Sequence, residues 1–197
     1  RASWRICVYH GSDSQRNILG SFKPNTRSWI SMAASSHART PSIADADYAA
    51  LTMANYLLGN GGNSRLWVRI REKDGLSYDV RSAMGWDQYG NNSWWNASAI
   101  FAPGNRAKVE AAFKEEVERA LKDGFTDKEL SEGKQGLLNF RRLSRAQDGN
   151  VAGGWARNLD LGRTFAFSAQ VDEQLKTLTL AQVNAALRKY VEPGKFV

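Results

Sequence analysis

The segment that decides the fold runs Tyr56-Leu57-Leu58-Gly59-Asn60-Gly61-Gly62-Asn63-Ser64-Arg65-Leu66-Trp67-Val68-Arg69-Ile70-Arg71-Glu72-Lys73-Asp74-Gly75-Leu76-Ser77-Tyr78. Upstream of it, Pro41-Ser42-Ile43-Ala44-Asp45 reads as a helix start, with Ser42 as N-cap and Asp45 at capping-box spacing. That helix is expected to run to about Leu58, with Ala46, Ala50, Met53, Ala54 and Leu57 on one face. Gly59-Asn60-Gly61-Gly62 ends it, because a run of glycines does not sustain helix and readily takes positive φ. Asn63-Ser64 can cap a second helix that carries Leu66, Trp67, Ile70 and Arg71 and stops near Gly75. At Ser77 the period changes to two. Tyr78, Val80, Ser82, Met84 and Trp86 fall on one side of a strand, and Ser77, Asp79, Arg81 and Ala83 on the other.

Working outward, Asp87-Gln88-Tyr89-Gly90-Asn91-Asn92 reads as a turn. Trp94 to Phe101 is the returning strand, with Trp95, Ala97, Ala99 and Phe101 on one face, so the two strands form an antiparallel hairpin. The first forty residues look irregular, apart from a strand over Ser28 to Ala33. Beyond Asn105 the chain reads as helical. Val109, Phe113, Val117 and Leu121 make one apolar stripe. Thr126-Asp127-Lys128-Glu129 is a capping box for a helix carrying Leu130, Leu137 and Leu138. Another helix covers roughly Asn150 to Leu161, and Thr179-Leu180-Ala181-Gln182 caps one carrying Val183, Leu187 and Tyr190. Strands first and helices later give an α+β fold, a mostly antiparallel sheet packed against a layer of helices. The expected organisation is one domain over 1–197, with 1–27 an irregular lead-in and 28–197 the folded body.

The composition agrees with a globular chain: 197 residues, 42% hydrophobic and 24% charged. No apolar run approaches the ~20 residues of a membrane span. The formal charge is +7, but signs alternate along helix-like stretches such as Lys114 to Arg119, the pattern of a solvated surface rather than of a nucleic-acid site. A catalytic zinc needs three protein ligands and an open position. The two histidines, His10 and His37, have no second histidine at helical spacing, and neither H-x-x-E-H nor H-E-x-x-H occurs. Cys7 lies three residues from His10, its one nearby base. Gly59 to Gly62 is not a phosphate loop, since no Lys-Ser/Thr follows. No metal ligand set and no catalytic set is visible in this chain alone, and it is not expected to be an enzyme on its own.

The segment Tyr56 to Trp67, followed by Arg69 to Tyr78, resembles the pitrilysin/insulinase (M16) family of zinc peptidases. The shared pattern is a helix, a glycine-rich loop, S-R-L, then R-E-K-x-G-L-x-Y leading into a strand. The resemblance extends to Asp45-Ala46-Asp47-Tyr48 and to Leu178-Thr179-Leu180-Ala181-Gln182-Val183, covering the chain from about residue 28. It implies the processing-peptidase-like metallohydrolase fold. Family enzymes pair a half that carries H-x-x-E-H and zinc with a homologous half that lacks the motif and closes over the substrate. Lacking the motif, this chain looks like the second, catalytically inactive half, excised from a longer protein.

The resemblance further implies that Arg71 and Tyr78, seven residues apart, reach toward the zinc site of the other half and hold the scissile peptide's backbone and carbonyl. A guanidinium offers a fixed fork of donors, and a phenol can donate to an oxygen as it becomes an oxyanion. Gly59, Asn60, Gly61, Gly62 and Asn63 correspond to a longer substrate-recognition loop in the processing peptidase, or serve here as a tight helix-to-helix turn. The implied partners are a zinc-bearing homologous half, in the same polypeptide or another, and a peptide, with no nucleic acid. The alternative is a structural or assembly module without a role in proteolysis. A periplasmic or otherwise exported bacterial location follows from the resemblance alone.

Overall fold

The strand Trp94–Phe101 is an inner strand of an antiparallel sheet, paired on both edges, and its alternate residues Trp95, Ala97, Ala99 and Phe101 are all buried. A computed structural model of the chain describes residues 7–10, 28–34, 46–89 and 93–193, the first two stretches by backbone alone. The strands are β1 (Cys7–His10), β2 (Ser28–Ala34), β3 (Ser77–Gly85) and β4 (Trp94–Phe101), in spatial order β1-β2-β4-β3 with every pairing antiparallel. β1 falls inside the stretch the sequence reads as irregular. A four-residue strand at a sheet edge carries too few alternating positions to announce itself.

Helix α1 (Tyr48–Asn55) continues without a break into a π-helical turn, Tyr56–Asn60. The expected Ser42 N-cap lies outside the described residues. Ala46 is exposed in the turn before the helix and does not join the apolar face, whereas Ala50, Met53, Ala54 and Leu57 do. A second π-helical stretch, Trp67–Lys73, follows a short α-turn at Arg65–Leu66. Ser64 supplies the carbonyl that accepts the first helical bond, from Val68 at 2.9 Å. Its side chain does not cap, since the buried hydroxyl has no hydrogen-bond partner among the described residues. The glycines also end the first helix differently from expectation. Gly61 sits in extended backbone at φ −80°, and the chain turns through a Ser64 N–H to Gly61 carbonyl bond of 3.1 Å.

A 3₁₀ turn over Pro103–Asn105 leads into α2 (Arg106–Asp123). α3 (Asp127–Ser144) and α6 (Leu180–Tyr190) each start with a complete capping box, from Thr126 to Glu129 and from Thr179 to Gln182. Between them lie α4 (Asp148–Asp160) and α5 (Ala166–Thr177). The sequence reading placed no helix at α5. Two buried residues, Val171 and Leu175, are too sparse a stripe to stand out.

One face of the sheet is covered. Val80 and Trp95 join Met53, Leu58, Leu66, Ile70, Val117 and Leu187 in one core, with α1 packed on α5 and α6. The α+β architecture with helices on an antiparallel sheet is as expected. Two polar links set its geometry. The Asn55 side-chain oxygen accepts from Ser82 Oγ at 2.7 Å and Trp95 Nε1 at 2.8 Å, tying α1 to both strands of the hairpin. The Asp47 carboxylate accepts from Lys189 Nζ at 2.6 Å and Tyr190 Oη at 3.0 Å, tying the start of α1 to the end of α6.

Candidate functional site

The path from Arg71 to Tyr78 is shaped by one glycine and one bulge. The π-helical stretch ends at Asp74, and Gly75 takes φ +61°, a left-handed conformation that a side chain would strain. The chain is then held by Leu76 N–H to Ile70 O at 2.9 Å and by Asn105 Nδ2 to Leu76 O at 3.3 Å. Ser77 pairs with Phe101 and Asp79 pairs with Ile100, which leaves Tyr78 as an extra residue in the ladder. The Ser77 hydroxyl stabilises the irregularity, lying 2.7 Å from Asp79 O and 2.8 Å from Ile100 O. Strict alternation places Tyr78 with Val80 and Ser82. Instead those two are buried, and Tyr78 is 76% exposed. The bulge turns the ring outward.

There it meets Arg71. The guanidinium carbon lies 4.2 Å from the Trp67 ring centre and 5.4 Å from the Tyr78 ring centre. Arg71 is thus held by two aromatic faces rather than by a carboxylate. Its neighbours are engaged elsewhere: Arg65 is bidentate on Glu129, and Arg69 pairs with Asp74 and Glu115. Among the described residues, neither the Arg71 guanidinium nor the Tyr78 hydroxyl has a hydrogen-bond or ion-pair partner. Trp67 is the member that residue-by-residue reading missed as a site component. Its i, i+4 spacing from Arg71 is the signal that finds it.

The glycine loop divides in two. Gly59 is buried against β3, where a Cβ would come within 2.6 Å of Ser82 Oγ. Asn60 Nδ2 donates to Ser82 O at 3.0 Å, and a Cβ on Gly61 would meet the Tyr56 ring at 2.9 Å. These three brace the helix-to-strand contact. Asn60, Gly62 and Asn63 are the exposed members, and of these Gly62 and Asn63 take no part in that bracing. The loop lies at the opposite end of the Trp67–Lys73 stretch from Arg71.

Arg65 supports the same helix from below. Its Nε and Nη2 donate to Glu129 at 2.6 and 2.9 Å, and Nη2 also donates to Gly124 O at 2.7 Å. Burial works to raise the Glu129 pKa, but the bonds from Arg65 and Thr126 outweigh it and hold the carboxyl below its usual range. Of the aromatic residues around the hairpin, Trp95 is buried and Trp86 is half-buried against Tyr48 with ring centres 4.5 Å apart.

Among the described residues no cluster of His, Cys, Asp and Glu is arranged to hold a metal ion. His37 lies outside them, and the backbone alone is described for Cys7 and His10, both in β1 rather than in irregular chain. No helix among the described residues is long and apolar enough to cross a membrane.

A helix layer packs on an antiparallel sheet, Tyr78 is exposed beside a half-buried Arg71, and the sequence holds no H-x-x-E-H. The family model described as peptidase M16 inactive domain matches residues 23–137, more than half of the chain, and the chain belongs to that family. An uncharacterized zinc protease of Mycobacterium leprae is 29% identical over 148 residues, which cover 75% of this chain and 33% of that protein. A Helicobacter pylori protein described as a non-peptidase homolog is 25% identical over 153 residues, covering 74% of this chain and 33% of its own length. The chain therefore spans about a third of the length of these curated relatives. A peptidase M16 inactive domain from Pseudomonas fluorescens shares the fold at a TM-score of 0.72 and 24% identity, over 86% of this chain and 39% of that one.

Proposed function

We propose that this domain binds peptide across the sheet end that carries Arg71 and Tyr78, and supports hydrolysis by a zinc-bearing homologous half. The observation that carries the proposal is the bulge. It exposes Tyr78 beside a guanidinium whose donors have no partner among the described residues, so both groups are open to a ligand. Arg71, stacked between Trp67 and Tyr78, presents its N–H fork to peptide carbonyls. The Tyr78 hydroxyl donates to the carbonyl oxygen as it gains negative charge. A zinc-bearing half would supply the activated water and the Lewis acid, and this chain's residues would hold the peptide.

The test is peptide turnover by the assembly containing this domain and the zinc-bearing half. Tyr78→Phe removes one oxyanion donor and is expected to lower kcat about a hundredfold, the size of such a donor elsewhere. Arg71→Ala is expected to raise KM. Zinc content should match the parent in both. Unchanged kinetics in both variants would overturn the roles assigned.

The Helicobacter relative, described as a non-peptidase homolog, favours a second reading in which the domain serves assembly alone. That reading expects both variants to be kinetically silent, with loss of the domain weakening the complex.

A further inference from the structure

We propose that Glu72 is a positioning residue for the peptide site: it fixes the Trp67 ring and, through that ring, the direction in which Arg71 presents its donors. The inference rests on the reading above, in which Arg71 holds the peptide. Glu72 is exposed and belongs to the charged run Arg69-Ile70-Arg71-Glu72-Lys73-Asp74, where a carboxylate turned to water is the ordinary expectation. Its Oε1 instead accepts from the Trp67 indole N–H at 3.1 Å.

The backbone explains how the two meet. In an α-helix each residue turns about 100°, so side chains five residues apart point about 140° away from each other. The stretch Trp67–Lys73 is π-helical, and at its end the Asp74 N–H reaches back five residues to Arg69 O at 3.2 Å. The wider turn brings the fifth residue back toward the first. Trp67 therefore has two partners on one side of the helix. Arg71, four residues on, sets its guanidinium carbon 4.2 Å from the ring centre, and Glu72, five residues on, bonds the indole nitrogen.

The role follows from what else restrains these groups. Among the described residues Arg71 makes no hydrogen bond and no ion pair, so its direction is set by the two rings beside it, Trp67 and, at 5.4 Å, Tyr78. Tyr78 is 76% exposed and its hydroxyl has no partner among the described residues, so this ring is the less restrained wall. Trp67 is half-buried against the core and its one polar atom is held by Glu72, so it is the wall that keeps a direction. The donors of a guanidinium are coplanar, and they meet a peptide carbonyl well only when that plane is already aimed. Side-chain freedom removed before binding is not lost at binding, which tightens the complex. Glu72 keeps its charge in this arrangement. Glu72→Gln therefore separates geometry from charge, because glutamine retains the accepting oxygen.

The experiment has two arms. In the first, NMR of the intact protein follows the Trp67 indole N–H, assigned by its loss in Trp67→Phe, and the Arg71 δ-protons, which feel the ring current of the indole. Glu72→Ala is expected to shift both signals, and Glu72→Gln to leave both near their parent positions. In the second, peptide turnover by the assembly with the zinc-bearing half yields KM and kcat separately. Glu72→Ala is expected to raise KM about two- to fivefold with kcat unchanged, the weight of one exposed hydrogen bond. Glu72→Gln should match the parent, and Glu72→Ala added to Arg71→Ala should raise KM no further than Arg71→Ala alone. An Arg71 signal that stays in place in Glu72→Ala, an unchanged KM in that variant, a Glu72→Gln variant as impaired as Glu72→Ala, or a full additional loss in the double variant would each overturn the proposal. Any of these, with turnover still sensitive to Arg71→Ala and Tyr78→Phe, removes the role of Glu72 alone. Kinetics indifferent to Arg71→Ala and Tyr78→Phe remove the peptide reading itself, and the first arm then still decides whether Glu72 sets the direction of Arg71.

Discussion

Asn55→Leu is the sharpest test of how this fold holds the strand that carries Tyr78. The Asn55 side-chain oxygen accepts two bonds at once, from Ser82 Oγ at 2.7 Å and from Trp95 Nε1 at 2.8 Å, and all three residues are buried. Leucine keeps the approximate volume and removes the acceptor. Two buried donors then lose their partner, at about 1–3 kcal/mol each. Ser82 keeps a fallback, the Asn55 backbone carbonyl at 3.3 Å, so its share lies at the low end. Leucine is the better helix former by about 0.5 kcal/mol, which offsets a little. The expected net loss is about 1.5–3.5 kcal/mol. For a chain of 197 residues that lowers Tm by about 5–10 °C. Urea unfolding followed by tryptophan fluorescence reads it as a shift in midpoint with an unchanged slope. In a double-mutant cycle, Asn55→Leu and Ser82→Ala should be strongly non-additive. A loss under about 1 kcal/mol, or additive effects, would refute the claim that one side-chain oxygen joins α1 to the hairpin.

The glycine loop gives a paired prediction. Gly59→Ala puts a Cβ within 2.6 Å of Ser82 Oγ and should cost about 1–2 kcal/mol after the helix-propensity gain, whereas Gly62→Ala meets nothing within 4 Å and should stay within about 0.5 kcal/mol. Equal effects in thermal unfolding would contradict that division. For acid stability, burial pushes Asp172 up, but Arg141 and Arg145 outweigh it and hold its pKa below the usual value, and Glu129 is likewise lowered. Groups depressed in the folded state contribute stability that is full above their unfolded pKa and is lost as pH falls through the folded pKa. Asp172→Asn should therefore lower stability at pH 7 and flatten its decline from about pH 5 downward, and an unflattened decline would show that this carboxylate is not a source of the acid sensitivity.

The legible parts of the fold are those whose signal is local. Thr126 with Glu129 and Thr179 with Gln182 form their capping boxes because both partners lie within one turn. β4 is read correctly, since four alternating residues all reach the core. What was illegible depends on distant partners. Ser64 resembles an N-cap in sequence, yet its hydroxyl makes no bond among the described residues. Glu116 looks like one more member of a solvated charge run, but packing from elsewhere in the fold buries it on α2, where Arg119 one turn along the same helix pairs with it at 2.6 Å. The π-helical turns at Tyr56–Asn60 and Trp67–Lys73 leave no mark in residue spacing that separates them from α-helix. Arg71 and Tyr78 come from the family resemblance, and Trp67 stands four residues before Arg71, a spacing the sequence itself displays.

The bulge at Tyr78 joins these threads, because it is the point where a local rule fails. A strand that begins Ser77-Tyr78-Asp79-Val80 should bury its tyrosine with Val80. An aromatic residue next to a core gains from burial, so its exposure needs a force that holds it out. The Ser77 hydroxyl supports the bulge. It lies 2.7 Å from Asp79 O and 2.8 Å from Ile100 O, and its single proton serves one or is shared between them, which helps make the extra residue tolerable. Arg71 completes the balance, since its guanidinium covers part of the exposed ring and is itself backed by Trp67. Exchange of serine for alanine at 77 removes the hydroxyl and leaves the rest of the chemistry in place. If Tyr78 is exposed for the sake of the site, that exchange should change the tyrosine's accessibility and the domain's peptide affinity together. If the bulge is only a packing accident, stability alone should move.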